Sequence, residues 1–443
     1  MIKRYLVSFV LIFSIVFSCC ACANAQGDYR GVLRVGLSYG GSAKSTASFS
    51  SGSDIEVYDI NNMALIGTIP GGAAATIVNS GGALSSDGIF QSSGGVRLDS
   101  VGIISYGGVP YRGSFELLPR DGNITVINMV NTEEYLASLL GKEMSASWPI
   151  EALKAQAVCA RNYAVTIAGK HSSYGFDICS TVDCQVYGGM NSEADSTRRA
   201  VKETAGVVVK YNGRVVPLYY FSCDGGYTEN SENVWVSAEG YLRGKQDIYE
   251  DPASAKLYNW TTTMTKSEIE EALSKKNINI GELVDIVINE VSENNGVISM
   301  TFVGTKDSKT VTKTQTRTTL SLNSQAYTIE KLAGKIVKTE KVTLSDIVPK
   351  ARFVLTKDGV EEAVRDIYRL TENGLERIEL DVSPKVEEEE GEEAMFETYI
   401  FKGHGWGHLV GMSQWGAYSM AKNGMDYTDI LNFYFTDIEI SVN

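Results

Sequence analysis

The stretch NTEEYLASLLGKEMSASWPIEALKAQAVCARNYAVTIAGKHSSYGFDICSTVDCQVYGG, residues 131–189, decides how the rest of the chain is read. Asn131 and Glu134 stand at capping-box spacing. The helix they open carries Tyr135, Leu136, Leu139 and Leu140 on one face and is predicted to end near Gly141 to Met144. Pro149, a residue favoured in the first helical position, starts a second helix that runs through Ala152, Leu153, Ala157, Ala160 and Ala164 to about Ala168. Between the two helices, in a short polar connection, stands Glu143. A Tyr/Gly loop with His171, Cys179 and Cys184 follows. One acid at a helix junction, with soft ligands nearby, is the chemistry this stretch offers.

Working outward, the chain has 443 residues and 43% hydrophobic content, enough for two or three folded domains. Its net charge of −14 offers no basic surface and argues against a nucleic-acid partner. At the start, Lys3 and Arg4 precede an apolar run from Tyr5 to Phe17 and then Ala23-Asn24-Ala25, the order of a secretory signal peptide. The run is short of the roughly 20 residues of a permanent span. A retained anchor that associates the protein with the membrane, or a lipidated Cys19, Cys20 or Cys22, are the alternatives. Each reading makes the protein extracytoplasmic. Beyond residue 25 the cysteines are Cys159, Cys179, Cys184 and Cys223, an even set that admits disulfides in an exported protein.

The patterning predicts an α+β fold: a β-rich platform, a small helical catalytic segment and an inserted β-rich region. Alternating β-branched residues mark strands at 31–38, 54–59, 64–69 and 124–129. A helix at 195–204 and a hairpin over 206–221, turning at Asn212-Gly213, follow the central stretch. Residues 266–275 read as an amphipathic helix, and 284–302 and 352–380 as strands and hairpins. The run 387–393 is almost pure charge and reads as solvated linker. Two helices, 413–423 and 428–434, close the chain. The division that results is 1–25, 26–128, 129–240, an insertion at 241–395, and a return at 396–443.

EYLASLLGKEMSASWPIEALKAQAVCARNYA at 134–164 closely resembles the signature of the SpoIID/LytB family. YYFSCDGGYTENSENVW at 219–235 and GHGWGHLVGMSQWGAYSMAKNGMDYTDILNFYF at 403–435 resemble the same family, in the same order. The resemblance implies a peptidoglycan lytic transglycosylase. Such an enzyme cuts the bond between N-acetylmuramic acid and N-acetylglucosamine in glycan strands, leaving 1,6-anhydro-muramyl ends during sporulation engulfment. It also implies an amidase or endopeptidase partner that strips stem peptides. The alternative is a non-catalytic wall-binding or amidase-enhancing protein of the LytB type. A zinc amidase is disfavoured, because only His171 and His408 remain as plausible ligands.

On this resemblance Glu143 is the catalytic acid, although Ser145 stands where the family usually has Pro. Met144 and Trp148 are expected to form the apolar wall that raises its pKa. Lys154 and Arg161, seven residues apart on the second helix, would face a sugar or position Glu143; snorkelling or an ion pair is the plainer reading. His171, Cys179 and Cys184 supply one nitrogen and two sulfurs suited to zinc, with water or Asp183 as a fourth ligand. A Cys179–Cys184 disulfide competes with this set. Ser222, Thr228 and Glu229 are candidate cleft residues beside Gly225-Gly226. In Gly403–Gly411 the alternate glycines let Trp406 and His408 project. His408 and Gln414 are expected in the cleft, Ser413 as a helix cap. The family usually has Gly where Leu409 stands.

Overall fold

The computed structural model describes residues 31–333 and 396–442, together with short strands at 354–356, 359–361, 367–371 and 374–378. The leader 1–25 and the charge run 387–393 lie outside the described residues. The fold is α+β and rich in strands, as the alternation of its N-terminal third requires. A seven-stranded sheet orders its strands as 178–179, 32–38, 123–131, 114–120, 96–99, 55–59 and 65–69. A six-stranded sheet orders 109–111, 104–106, 46–51, 74–80, 83–86 and 90–92. Ala74–Ser80 buries every second residue, the mark of a strand with one wet face. Leu33, Val35, Phe49, Ile77 and Phe115 fill the core shared by the two sheets.

The strand Asn123–Asn131 delivers the chain directly into helix α1, Thr132–Glu143. Asn131 caps it by accepting the N–H of Glu133, not through a reciprocal box with Glu134. Helix α2 spans Ile150–Thr166, with Pro149 at its N-cap, one position earlier than the sequence suggested. α2 is covered on nearly every side, and its alanines at 152, 155, 157, 160 and 164 let neighbouring elements close on it. Asn162, fully buried on α2, donates to the carbonyls of Val209 and Val216 at 2.7 and 2.8 Å and accepts the Val209 N–H at 2.9 Å. That ties α2 to the hairpin Val207–Tyr211 and Arg214–Val215. Its turn has positive φ at both Asn212 and Gly213, as the dipeptide predicts. Helix α3, Asp195–Glu203, packs beside α1 and α2.

A second hydrophobic cluster runs from Trp260 to Tyr327 and takes in Tyr399 and Phe401. The strand Phe396–His404 pairs with Asn259–Thr265 and Tyr327–Ala333, so it belongs to the inserted unit. Tyr241 and Leu242 belong to the first cluster. The insertion therefore divides from the core near 259 and 404, where side chains change partners, and not at 241 and 396.

Gly141 marks the closest approach of α1 to its surroundings: a Cβ there would stand 1.9 Å from the backbone oxygen of Ser192. In an exposed helix alanine gains about 1 kcal/mol over glycine. Here overpacking reverses the sign, and Gly141→Ala is expected to lose about 1–3 kcal/mol in urea unfolding.

Candidate active site

The carboxyl of Glu143, at the last residue of α1, opens into a cavity of about 540 Å³. Tyr163 of α2, Val186, Tyr219, Tyr220, Trp235 and His408 line it, together with Cys184 and Gln185. Among the lining residues Glu143 is the single carboxylic acid. Another hollow, about 460 Å³ between Glu270 and Gly281, has only Glu270 as an acid, and that side chain accepts the Leu283 N–H. It holds no converging chemistry.

Burial pushes the Glu143 carboxyl up from the usual 4.5 to about 7, partly offset by hydrogen bonds from the Val186 N–H and the Tyr220 hydroxyl. The wall that excludes water is aromatic and comes from residues remote in sequence. Met144 and Trp148, expected to form it, do not line the cavity. Trp148 instead packs at a tilt against Trp415 and Tyr418 at ring distances of 4.7 and 5.0 Å, bracing the connection between α1 and α2. Behind Glu143 runs a buried chain: the Tyr135 hydroxyl donates to Gln185 Oε1 at 3.1 Å, and Gln185 Nε2 donates to the Tyr220 hydroxyl at 3.0 Å. Tyr220 is thereby left with its own proton to donate to Glu143.

His408 stands across the cavity, with ring centres of Trp235 and Phe221 at 5.1 and 5.4 Å. Its Nδ1 accepts the Val410 N–H at 3.1 Å. Desolvation, and secondarily the charge of Arg317, push it down to about 3, so it is neutral at physiological pH. Gln414 lies one step back from the cavity: its Nε2 donates to the backbone carbonyl of Glu143 at 3.1 Å. Ser413 caps the helix Gln414–Lys422 by accepting the Gly416 N–H.

Other expected cleft residues lie elsewhere. Arg161 is completely buried, bound through two nitrogens to Glu133 at 2.9 and 2.6 Å and to the Val207 carbonyl at 3.1 Å. Lys154 pairs with Glu151 and Glu203 at 2.8 and 2.9 Å. Both cations hold helices together: Arg161 ties α2 to α1 and Lys154 ties it to α3, so neither is left to face a sugar. Thr228 is buried and exchanges hydrogen bonds with the backbone of Lys245. Glu229, also buried, accepts from Asn230, Asn233 and Ser292 and fastens the inserted unit to the core. Ser222 offers its carbonyl to the Trp415 N–H at 3.0 Å and does not line the cavity. Gly225 permits a close approach, but to the loop at His404 and Gly405 and not to a ligand.

Adjoining the cavity through Cys184, donor atoms of His171, Cys179, Asp183 and Cys184 lie within 4.8 Å of one another. His171 Nε2 is 3.4 Å from the Cys184 sulfur and 3.2 Å from Asp183 Oδ2. Cys179 and Cys184 are free thiols, not a disulfide. A nitrogen, two sulfurs and a carboxylate oxygen at this spacing fit a tetrahedral soft-metal site.

Tyr220, Gln185, Tyr163 and Trp235 were not singled out from sequence. They lie inside the quoted motifs, but only the fold turns them toward Glu143.

Residues 120–211 match the family model described as SpoIID, Stage II sporulation protein. An uncharacterized protein of Brachyspira hyodysenteriae is 29% identical over 365 residues, covering 80% of this chain and 81% of that protein. The amidase enhancer of Bacillus subtilis is 28% identical over 68% of this chain, a match that spans 39% of the enhancer's own length. Stage II sporulation protein D of Bacillus subtilis is 26% identical over 73% of this chain and 77% of that protein.

A carboxyl whose folded pKa exceeds its unfolded value contributes stability that is complete below the unfolded value and is lost as pH rises through the folded one. For Glu143 that window runs from about 4.5 to about 7. Glu143→Gln keeps the shape without the charge. The variant is expected to match the parent at pH 4 and to exceed it by about 1–3 kcal/mol at pH 8 in urea unfolding.

Proposed function

We propose that this chain, which belongs to the SpoIID/LytB family of sporulation and cell-wall proteins, is a peptidoglycan lytic transglycosylase. The observation that carries the reading is Glu143: a lone carboxyl in an aromatic cavity, whose burial raises it to about 7 and so keeps a large protonated fraction near neutral pH. Glycosidases that use water employ two carboxylates about 5–9.5 Å apart. A lytic transglycosylase needs one. Glu143 would protonate the oxygen between N-acetylmuramic acid and N-acetylglucosamine as the bond from C1 breaks. The resulting carboxylate, stabilised by the Val186 N–H and the Tyr220 hydroxyl, then takes the proton of the sugar's own C6 hydroxyl. O6 closes on C1, giving the 1,6-anhydro end, with no water consumed. Tyr219, Trp235 and Tyr163 offer faces on which sugar rings stack. His408, kept neutral, adds no competing charge.

The substrate on this reading is a glycan strand outside the cytoplasmic membrane, during engulfment, with an amidase removing stem peptides. No described helix is long and apolar enough to cross a membrane. His171, Cys179, Cys184 and Asp183 would hold a zinc ion, which supplies a structural cross-link there. The loop so fixed carries Val186, whose N–H reaches Glu143. A second reading follows from the similarity to an amidase enhancer: a wall binder that does not cut.

Mass spectrometry of peptide-free glycan strands separates these readings. The parent protein is expected to yield anhydro-muramyl ends, and Glu143→Gln to lower the rate about 10³-fold. Turnover is expected to fall as pH rises through about 7, when the acid form of Glu143 is lost. Reducing ends would sink the transglycosylase in favour of a hydrolase. Binding without cutting by both proteins would establish the enhancer reading. For the metal, elemental analysis is expected to find one zinc per chain and none in the Cys179→Ser/Cys184→Ser variant, which should also melt at a lower temperature.

A further inference from the structure

Behind the cleft wall three carboxylates converge in the core. Asp224, Asp247 and Glu250 are 1%, 4% and 4% exposed, and their oxygens lie within 4.8 Å of one another. They come from two segments: the loop after the strand Tyr220–Phe221, and residues 247–250 ahead of the inserted unit. No cation is among their hydrogen-bond donors, which are backbone N–H groups, hydroxyls and, for Glu250, the Cys223 thiol. Glu250 accepts from the N–H groups of Asp224 and Gly225 at 3.0 and 3.2 Å and from the Ser413 hydroxyl. Asp247 accepts from the N–H groups of Tyr249 and Glu250 at 2.8 and 3.1 Å and from the Tyr434 hydroxyl. Asp224 Oδ1 accepts the Gly226 N–H at 2.7 Å.

The other oxygen, Asp224 Oδ2, is buried and receives no N–H or hydroxyl; the side chain that Asp224 meets is the carboxyl of Asp247. No Lys, Arg or His pairs with any of the three acids among the described residues. Burial, and for Asp224 the charges of Glu250 and Asp247, disfavour the ionised forms. An orphaned carboxylate oxygen facing two further buried acids is a large uncompensated cost. An all-oxygen donor set of this kind suits hard cations.

We propose that Asp224, Asp247 and Glu250 form a binding site for a hard divalent cation, calcium or magnesium, distinct from the His171–Cys184 cluster. Through it the Asp224 loop and the 247–250 turn are cross-linked. Ser413, bonded to Glu250, carries that constraint to the helix whose Gln414 holds the Glu143 carbonyl. The site thus positions the cleft and takes no part in bond breaking.

The test uses the full chain, stripped with EDTA, desalted, and titrated with calcium chloride or, in a parallel arm, magnesium chloride. Uptake is read by equilibrium dialysis with elemental analysis, and stability by thermal unfolding. About one equivalent of one ion is expected, with Tm rising by roughly 5 °C at a hundredfold excess over Kd. Asp224→Asn and Glu250→Gln should each weaken uptake at least 100-fold, while His171→Ala retains it. The tighter arm identifies the ion. No uptake of either ion by the native chain up to about 10 mM, weaker than extracellular calcium modules, would overturn the site and leave three acids sharing protons. Uptake unchanged in both carboxylate variants, or lost only with His171→Ala, would overturn it as well. If neither carboxylate variant folds, the native chain and His171→Ala decide alone: uptake by both supports the site, and its absence from the native chain refutes it.

Discussion

Glu143 sits where a helix ends and water is excluded, and much of the molecule is arranged to make that placement hold. A carboxyl moved out of water without a cation beside it stays protonated to higher pH. Two donors, the Val186 N–H and the Tyr220 hydroxyl, reach the ionised form and keep the rise moderate. Each donor is fixed by its own surroundings. Tyr220 lies in a strand paired with Met412–Ser413 and receives the Gln185 amide. Val186 follows the Cys179–Cys184 loop, whose strand Ile178–Cys179 joins the edge of the seven-stranded sheet. The helix end is held by Gln414, which grips the backbone carbonyl and leaves the side chain free to face the cavity.

That arrangement explains which parts were legible in sequence. Helix starts and hairpin turns are local events, so Asn131, Pro149, Asn212-Gly213 and Ser413 announced them to within a residue or two. Glu143 was legible because a short motif carries it. For Lys154 and Arg161 the plainer reading, an ion pair, is the one the structure shows, and a sugar-facing role is not, for a physical reason: spacing along a helix reports a shared face, but not whether that face meets solvent. α2 is buried nearly all round, and its cations became struts to Glu133, Glu151 and Glu203. Glu229 misled in the same manner, since a conspicuous acid beside a glycine turn serves equally well as an anchor. The aromatic wall was illegible because its members come from α2, the strand at Tyr220, the end of a short helix at Trp235 and the C-terminal motif, and only tertiary packing brings them together. The insertion's edges were misplaced because charge and strand patterning do not reveal which core a strand joins.

Leu409 shows how a departure from a family pattern takes on structural meaning. It adopts φ 64°, the left-handed region where glycine is at ease and a branched side chain costs roughly 1–2 kcal/mol. Yet its side chain is buried with Phe221 and Ala326, a small cluster at the seam between the first core and the inserted unit. Burying a leucine stabilises by about 1.5–3 kcal/mol, enough to offset the strain. Glycine would relax the backbone and empty the seam.

The same seam argues that the inserted unit is part of the site's architecture. Lys313 reaches out of it to donate to the Trp235 carbonyl at 2.8 Å, directly at the cleft wall. Arg317 contributes the charge that helps keep His408 neutral. Glu229 and Ser292 close the junction from the other side. A unit attached only for an independent purpose would have no need to bond Trp235 or to set a charge near His408, two members of the wall that faces Glu143. The contacts therefore tie its folding to the shape of the cavity, so that disturbance on one side of the seam is felt on the other.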